Sequence, residues 1–220
     1  MDYLFLKYAH IIAFVYWLGG DLGTFLASNY VVNRDIGTES RGVALKIMLA
    51  CDQGPKLAMP LIITLGLQMA YMTGLLAVPA GVMIAAWLVS IYWFSVVMIL
   101  HLNEGKAFTA IISKIDFYFR IAVVVILLLW AIAGLMDNSL IRADWVAYKM
   151  IVFAGLVTCG IFIRINLKPF IPAFVSLMKD GASDELNDTL MASLMRCRPY
   201  VWCIWGGLFL NAAIGVHLLG

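Results

Sequence analysis

Charge is scarce in this sequence. Asp, Glu, Lys and Arg together make up 13% of 220 residues, against roughly 25% in soluble domains. The four cysteines, Cys51, Cys159, Cys197 and Cys203, form no CxxC pair and show no metal-type spacing, so neither a structural disulfide nor a thiolate metal site is expected. Histidine occurs three times, and the His-x13-His pairing of multi-haem b cytochromes is missing. A net charge of +2 gives no basic face for a nucleic acid. The first apolar run has no basic region before it and no small-residue cleavage site after it, so it reads as a span rather than a signal peptide.

What fills the chain is apolar side chain, 64% of all residues. That composition implies an integral membrane protein, and the length suits one all-α domain, 1–220, with lipid as its first partner. Runs of about 20 apolar residues, enough to cross a bilayer, place six spans at roughly 4–28, 58–77, 81–102, 118–136, 145–167 and 199–219. Between them, 33–56 is polar, with Val43, Ile47, Leu49 and Ala50 marking a short interfacial helix. The 168–198 segment holds an amphipathic helix with Leu186, Leu190, Met191 and Leu194 along one side. Gly74-Leu75 and Gly134-Leu135 recur at a spacing matched by Trp87 and Trp145, which is compatible with a duplicated helical hairpin.

Lysine and arginine are unevenly divided. Twelve fall in the loops joining spans 1–2, 3–4 and 5–6, whereas the opposite side has Lys7, Arg142 and Lys149. The positive-inside rule then puts both termini outside, in the periplasm if the membrane is a cell inner membrane.

The first span, Tyr3 to Val31, organises the rest. It carries His10 and Asp21 at membrane depth, where an ionisable group costs roughly 2.5–3.5 kcal/mol and normally faces a protein interior. Eleven residues at about 100° each return to within about 20° of one direction, so the two share a face, with Phe14 and Trp17 between them. Gly19 and Gly23 form a GxxxG for close helix approach. Asp21 either pairs with a basic neighbour, Arg120 being one candidate, or relays protons.

With both termini outside, His10 and His217 reach similar depth in the outer leaflet, and Lys149 lies at the same level. Paired imidazoles from facing helices hold haem iron in helical bundles. Phe14, Trp17, Trp202, Trp205, Gly206 and Gly207 are candidate walls for the macrocycle. Lys7, Arg142 and Lys149 are candidate partners for its propionates. The plainer alternatives are an interfacial His217, a hydrogen-bonded His10, and Phe14 and Trp17 as helix packing. His101, beside Asn103 and Glu104 at the other boundary, reads as interfacial. Met69 and Met72, at i and i+3, form the one tight methionine pair on a span.

YLFLKYAHIIAFVYWLGG, 3–20, resembles the opening helix of HemJ-type protoporphyrinogen oxidases and the related CopD-like membrane proteins. Those begin with a K-x-x-H-I-I followed by W-x-x-G. DWVAYKMIVFAGLV, 144–157, resembles their W-x-x-x-K-L segment with Met150 in place of the leucine. FRIAVVVILLLWAIAGLM, 119–136, resembles the helix before it. The resemblance implies haem b binding at His10 and a functional role for Lys149. This chain differs by an extra helical hairpin between the matches, and by Asp21-Leu-Gly-Thr where the family has an arginine- and tyrosine-rich stretch.

Four functional classes follow. The first is a b-type haem protein with His10 and His217 on the iron, moving electrons between an outer-face redox partner and a quinone or partner subunit. The second is protoporphyrinogen oxidation, with Lys149 and Asp21 in catalytic roles and a porphyrin as substrate. The third is copper passage, and the fourth a cofactor-free anchor subunit or homo-oligomer.

Overall fold

The computed structural model describes residues 2–218, and among these the chain forms seven helices. They are α1 (Tyr3–Val31), α2 (Thr38–Met72), α3 (Ala80–Leu102), α4 (Ala107–Met136), α5 (Asp144–Asn166), α6 (Phe170–Asp180) and α7 (Asp184–Gly215). Four of them, α1, α3, α4 and α5, are long and apolar enough to cross a membrane. The helices α2 and α7 are the longest after fusion of a polar half to an apolar one. The last residue of the sixth expected span, 219, lies outside the described residues.

That fusion is the main departure from the expected elements. The interfacial helix expected within 33–56 is the first half of α2. Its buried positions are Arg41, Ala44 and Met48, while Val43 and Ile47 are exposed. The helix expected within 168–198 divides: α6 is a separate amphipathic helix of about three turns, and Leu186, Leu190 and Leu194 belong to α7, continuous with the last span. Likewise α4 starts at Ala107 rather than near 118. Extending a helix adds one hydrogen bond per residue fixed, whereas starting a new one pays for nucleation again, so polar flanks join the spans beside them.

Proline interrupts the ladder without ending it. Pro55 and Pro60 lie inside α2, and Pro199 lies inside α7. Pro55 has no N–H for the Cys51 carbonyl, and that carbonyl faces Gly20 of α1, where an added Cβ would sit 2.7 Å from it. An added Cβ on Gly54 would in turn lie 2.8 Å from the Tyr16 carbonyl. The close crossing of α1 and α2 therefore uses Gly20, Gly23 and Gly54. Gly19, one half of the expected GxxxG, faces nothing within 4 Å.

In lipid, helices gain little from hydrophobic burial against one another, so small residues and tight packing decide association. The centre of this bundle is α5, with 39% of its most apolar stretch buried against 17–28% for α1, α3 and α4. Ala147 and Ala154 of α5 and Ala131 of α4 have no exposed surface. Gly207 lets α7 come down on Leu156 of α5.

At one end, the α2–α3 and α4–α5 connections meet. The Ala77 N–H donates to the Leu140 carbonyl (3.0 Å) and the Arg142 N–H to the Leu75 carbonyl (2.8 Å). Gly74 makes the turn after α2 at φ 72°, whereas Gly134 is buried inside α4 against Ile141. The two Gly-Leu pairs thus do different jobs, which removes the main sequence support for a duplicated hairpin.

At the other end, α6 buries Phe170, Ala173, Phe174 and Leu177, one helical stripe, in a second small core with Val31, Ala44, Met48, Leu190 and Leu194. Arg41 is 1% exposed within it. Its guanidinium donates to the Val31 carbonyl (2.7 Å) and to Asn187 Oδ1 (2.9 Å). A cation at the C-terminus of α1 also complements that helix's dipole.

Candidate functional site

His10 lies on the face of α1 that meets α2. An added Cβ on Gly66 would come within 3.3 Å of His10 Cε1, so the imidazole lies close against α2 at a glycine. Its Nδ1 is buried and has no hydrogen-bond partner. An unpaired buried nitrogen costs about 1–3 kcal/mol, and in native structures such an atom is commonly explained by a bound group.

The ring opens on a cavity of about 460 Å³, within the range of small-molecule and cofactor sites. Its walls come from α1, α2, α5 and α7. His10, Lys149, His217, Lys7 and Trp17 all line it, so the long-range convergence expected from topology is present. The position of His217 differs from the expected one. It is the second residue past the end of α7, at φ 55°, exposed, with its ring edge-on to Trp145 at 5.2 Å. The apolar helix ends at Gly215, and the histidine belongs to the turn that follows.

Lys149 is half-buried, and its ammonium sits 5.9 Å from the Trp145 ring centre. An added Cβ on Gly215 would lie 2.7 Å from Nζ. No carboxylate pairs with it among the described residues. Asn211 donates from Nδ2 to the Lys149 carbonyl at 3.4 Å and leaves Oδ1 buried without a partner.

Two expected members are elsewhere. Arg142 is exposed beside Gly74 and does not line the cavity, because its backbone is engaged in joining the two connections. Asp21 lines a second cavity, of about 1010 Å³, toward the end of the bundle that carries α6. The expected Asp21–Arg120 pairing does not form. Arg120 Nε donates instead to Asp116 Oδ2 (3.0 Å), which also accepts from Arg164 Nη1 (2.8 Å). Asp116 wins because it stands four residues before Arg120 on α4, the helical spacing for an ion pair.

The aromatic walls also differ in part. Phe14 and Trp17 face the His10 cavity, but Trp202 is exposed, Trp205 packs on Phe25, and Gly207 packs on Leu156. Phe153, edge-on to Trp17 at 5.9 Å, and Trp145 take that place. Trp145 was legible as the residue one turn before Lys149. Asn211, the one amide in an otherwise apolar stretch, was the missed signal on α7. Met69 lines the cavity, whereas Met72 is exposed outside it, so the methionine pair does not converge.

Compared with protein families, curated proteins and solved structures, the chain matches none of them.

Proposed function

We propose that this chain is a six-span membrane protein with both termini outside, holding one haem b in the His10 cavity. It passes electrons between an outer-face redox partner and a quinone or partner subunit. The observation carrying this reading is His10 itself: a half-buried imidazole whose Nδ1 is buried and has no partner, on an apolar cavity shared with His217 and Lys149. When bound, haem supplies one-electron redox chemistry. Lys7 and Lys149 fit its propionates, and Trp17 and Phe153 fit its apolar faces.

In this reading His10 and His217 would hold the iron, with Lys149 as the competitor for His217. A ligating lysine must be neutral, which costs about 1.4 kcal/mol per unit of pKa depression; a charged one beside a propionate has no such penalty. Visible spectroscopy of purified protein tests the assignment. His10→Ala is expected to abolish the Soret band. His217→Ala should leave a high-spin or depleted spectrum, and Lys149→Met a low-spin one. An unchanged low-spin spectrum in His217→Ala with its loss in Lys149→Met reverses the ligand assignment.

The cavity placement of Lys149 beside His10, without an acidic partner, favours a second reading: oxidation of protoporphyrinogen, whose carboxylates the lysine would hold. The resemblance of 3–20 and 144–157 to the HemJ type points the same way. Conversion of added protoporphyrinogen to a fluorescent porphyrin, lost in Lys149→Met but with haem content intact, selects this reading over electron transfer.

A further inference from the structure

The second cavity contains buried polar atoms that no protein group satisfies. Asp21 Oδ2 and Gln53 Oε1 line it from α1 and α2, and Asp116 Oδ1 lines it from α4, each buried and unpartnered. Asp116 is 2% exposed and its other oxygen is taken by two arginines. Each orphan costs about 1–3 kcal/mol if left dry. The volume of about 1010 Å³ is many times the roughly 30 Å³ occupied by a water. The walls also carry His101, Glu104 and Lys114 near the charged loops. A roomy cavity with orphaned polar atoms on its wall has both the space and the partners for water.

Where the cavity ends matters. Asp21 is eleven residues, about 16 Å, along α1 from His10. Between them stands Trp17, 1% exposed, the one residue among the described ones that lines both cavities. The Trp17 indole is the side-chain hydrogen-bonding neighbour of the Asp21 carboxyl.

We propose that the second cavity is a water-filled proton inlet that opens at the charged-loop end and terminates at Asp21, one indole away from the His10 cavity. It rests on the redox reading only for its purpose, since it would deliver protons toward chemistry at His10. The groups facing the Asp21 carboxyl are Trp17 on its own helix and Asp52 on α2, whose charge is already matched by Lys56. Across the cavity, Asp116 holds Arg120 and Arg164. Arg198 of α7 donates from Nη2 to Asn29 Oδ1 and lies over the Phe25 ring, while its Nε is buried without a partner. No cation is therefore committed to Asp21, which leaves its carboxyl free to take up and release a proton.

Infrared spectroscopy of the full chain in vesicles tests this without any redox partner. A carboxylic C=O band should titrate with pH, shift promptly in D2O, disappear in Asp21→Asn and persist, displaced, in Asp21→Glu. In a cysteine-free background, Gln53→Cys should react with a membrane-impermeant maleimide from the charged-loop side and not from the other. A band that persists in Asp21→Asn, one that does not exchange in D2O, or labelling from the termini side overturns the inlet. Loss of the Soret band from wild type would sink the haem reading instead and leave these results standing.

Discussion

The two cavities sit on the same helix face and share one tryptophan, yet they treat charge in opposite ways. At the α6 end, most carboxylates are matched by cations, Asp116 with Arg120 and Arg164 and Asp52 with Lys56, and Asp21 stands apart from these pairs. At the other end, Lys7 and Lys149 line a largely apolar cavity with no acid among its walls. In a low-dielectric interior an unmatched charge is expensive, and matched ones roughly break even. Groups that cancel one another's charge are finished structure. A region that leaves a half-buried lysine uncancelled is complementary to an anion from outside the chain, and porphyrin carboxylates meet that requirement.

The sharpest way to break this contrast is to unbalance the finished end. Asp116→Ala removes the single carboxylate serving two arginines, which should cost about 3–5 kcal/mol. We expect a lowered thermal midpoint and poor yield in detergent. His10→Ala removes no ion pair and should unfold near the wild-type temperature while losing haem. Equal destabilisation by the two substitutions would mean that the His10 cavity is structural as well.

The dividing wall comes next in size. Trp17→Phe narrows the partition and removes the indole N–H beside Asp21, at a cost of about 1–3 kcal/mol. Water reaching the His10 cavity favours the more highly charged oxidised iron, so the haem midpoint potential should fall while haem content stays within twofold of wild type. An unchanged potential would show that the two cavities are isolated by more than this ring.

How much of this was legible in the sequence follows from the range of each interaction. The apolar runs are local, and they located the helices well. The fusion of polar flanks into α2 and α7 was hidden because helix continuity through Pro55 and Pro199 depends on tertiary packing, not composition. His10, Lys149 and His217 were found because topology alone brings them to one end. Asp116 was passed over because its burial comes from Arg164, 48 positions away, and because 107–117 read as loop. Gly66 carried no signal of its own. Its role exists only opposite His10.

The smallest expected effect separates two basic residues that the sequence treated alike. Lys7 and Arg142 were both expected near the propionates, but only Lys7 lines the cavity. Lys7 is exposed, and exposed charged contacts contribute about 0.2–1 kcal/mol. Lys7→Gln should thus weaken haem retention by no more than about fivefold, and less at high salt, which screens a surface charge first. Arg142→Gln should change neither retention nor its salt dependence, since the side chain is exposed away from the cavity and the residue holds the connection through its backbone N–H. Haem transfer to an excess of apomyoglobin, followed at low and high ionic strength, measures both. If Arg142→Gln accelerates the transfer and Lys7→Gln does not, the anion lies toward the α2–α3 connection rather than toward Lys7.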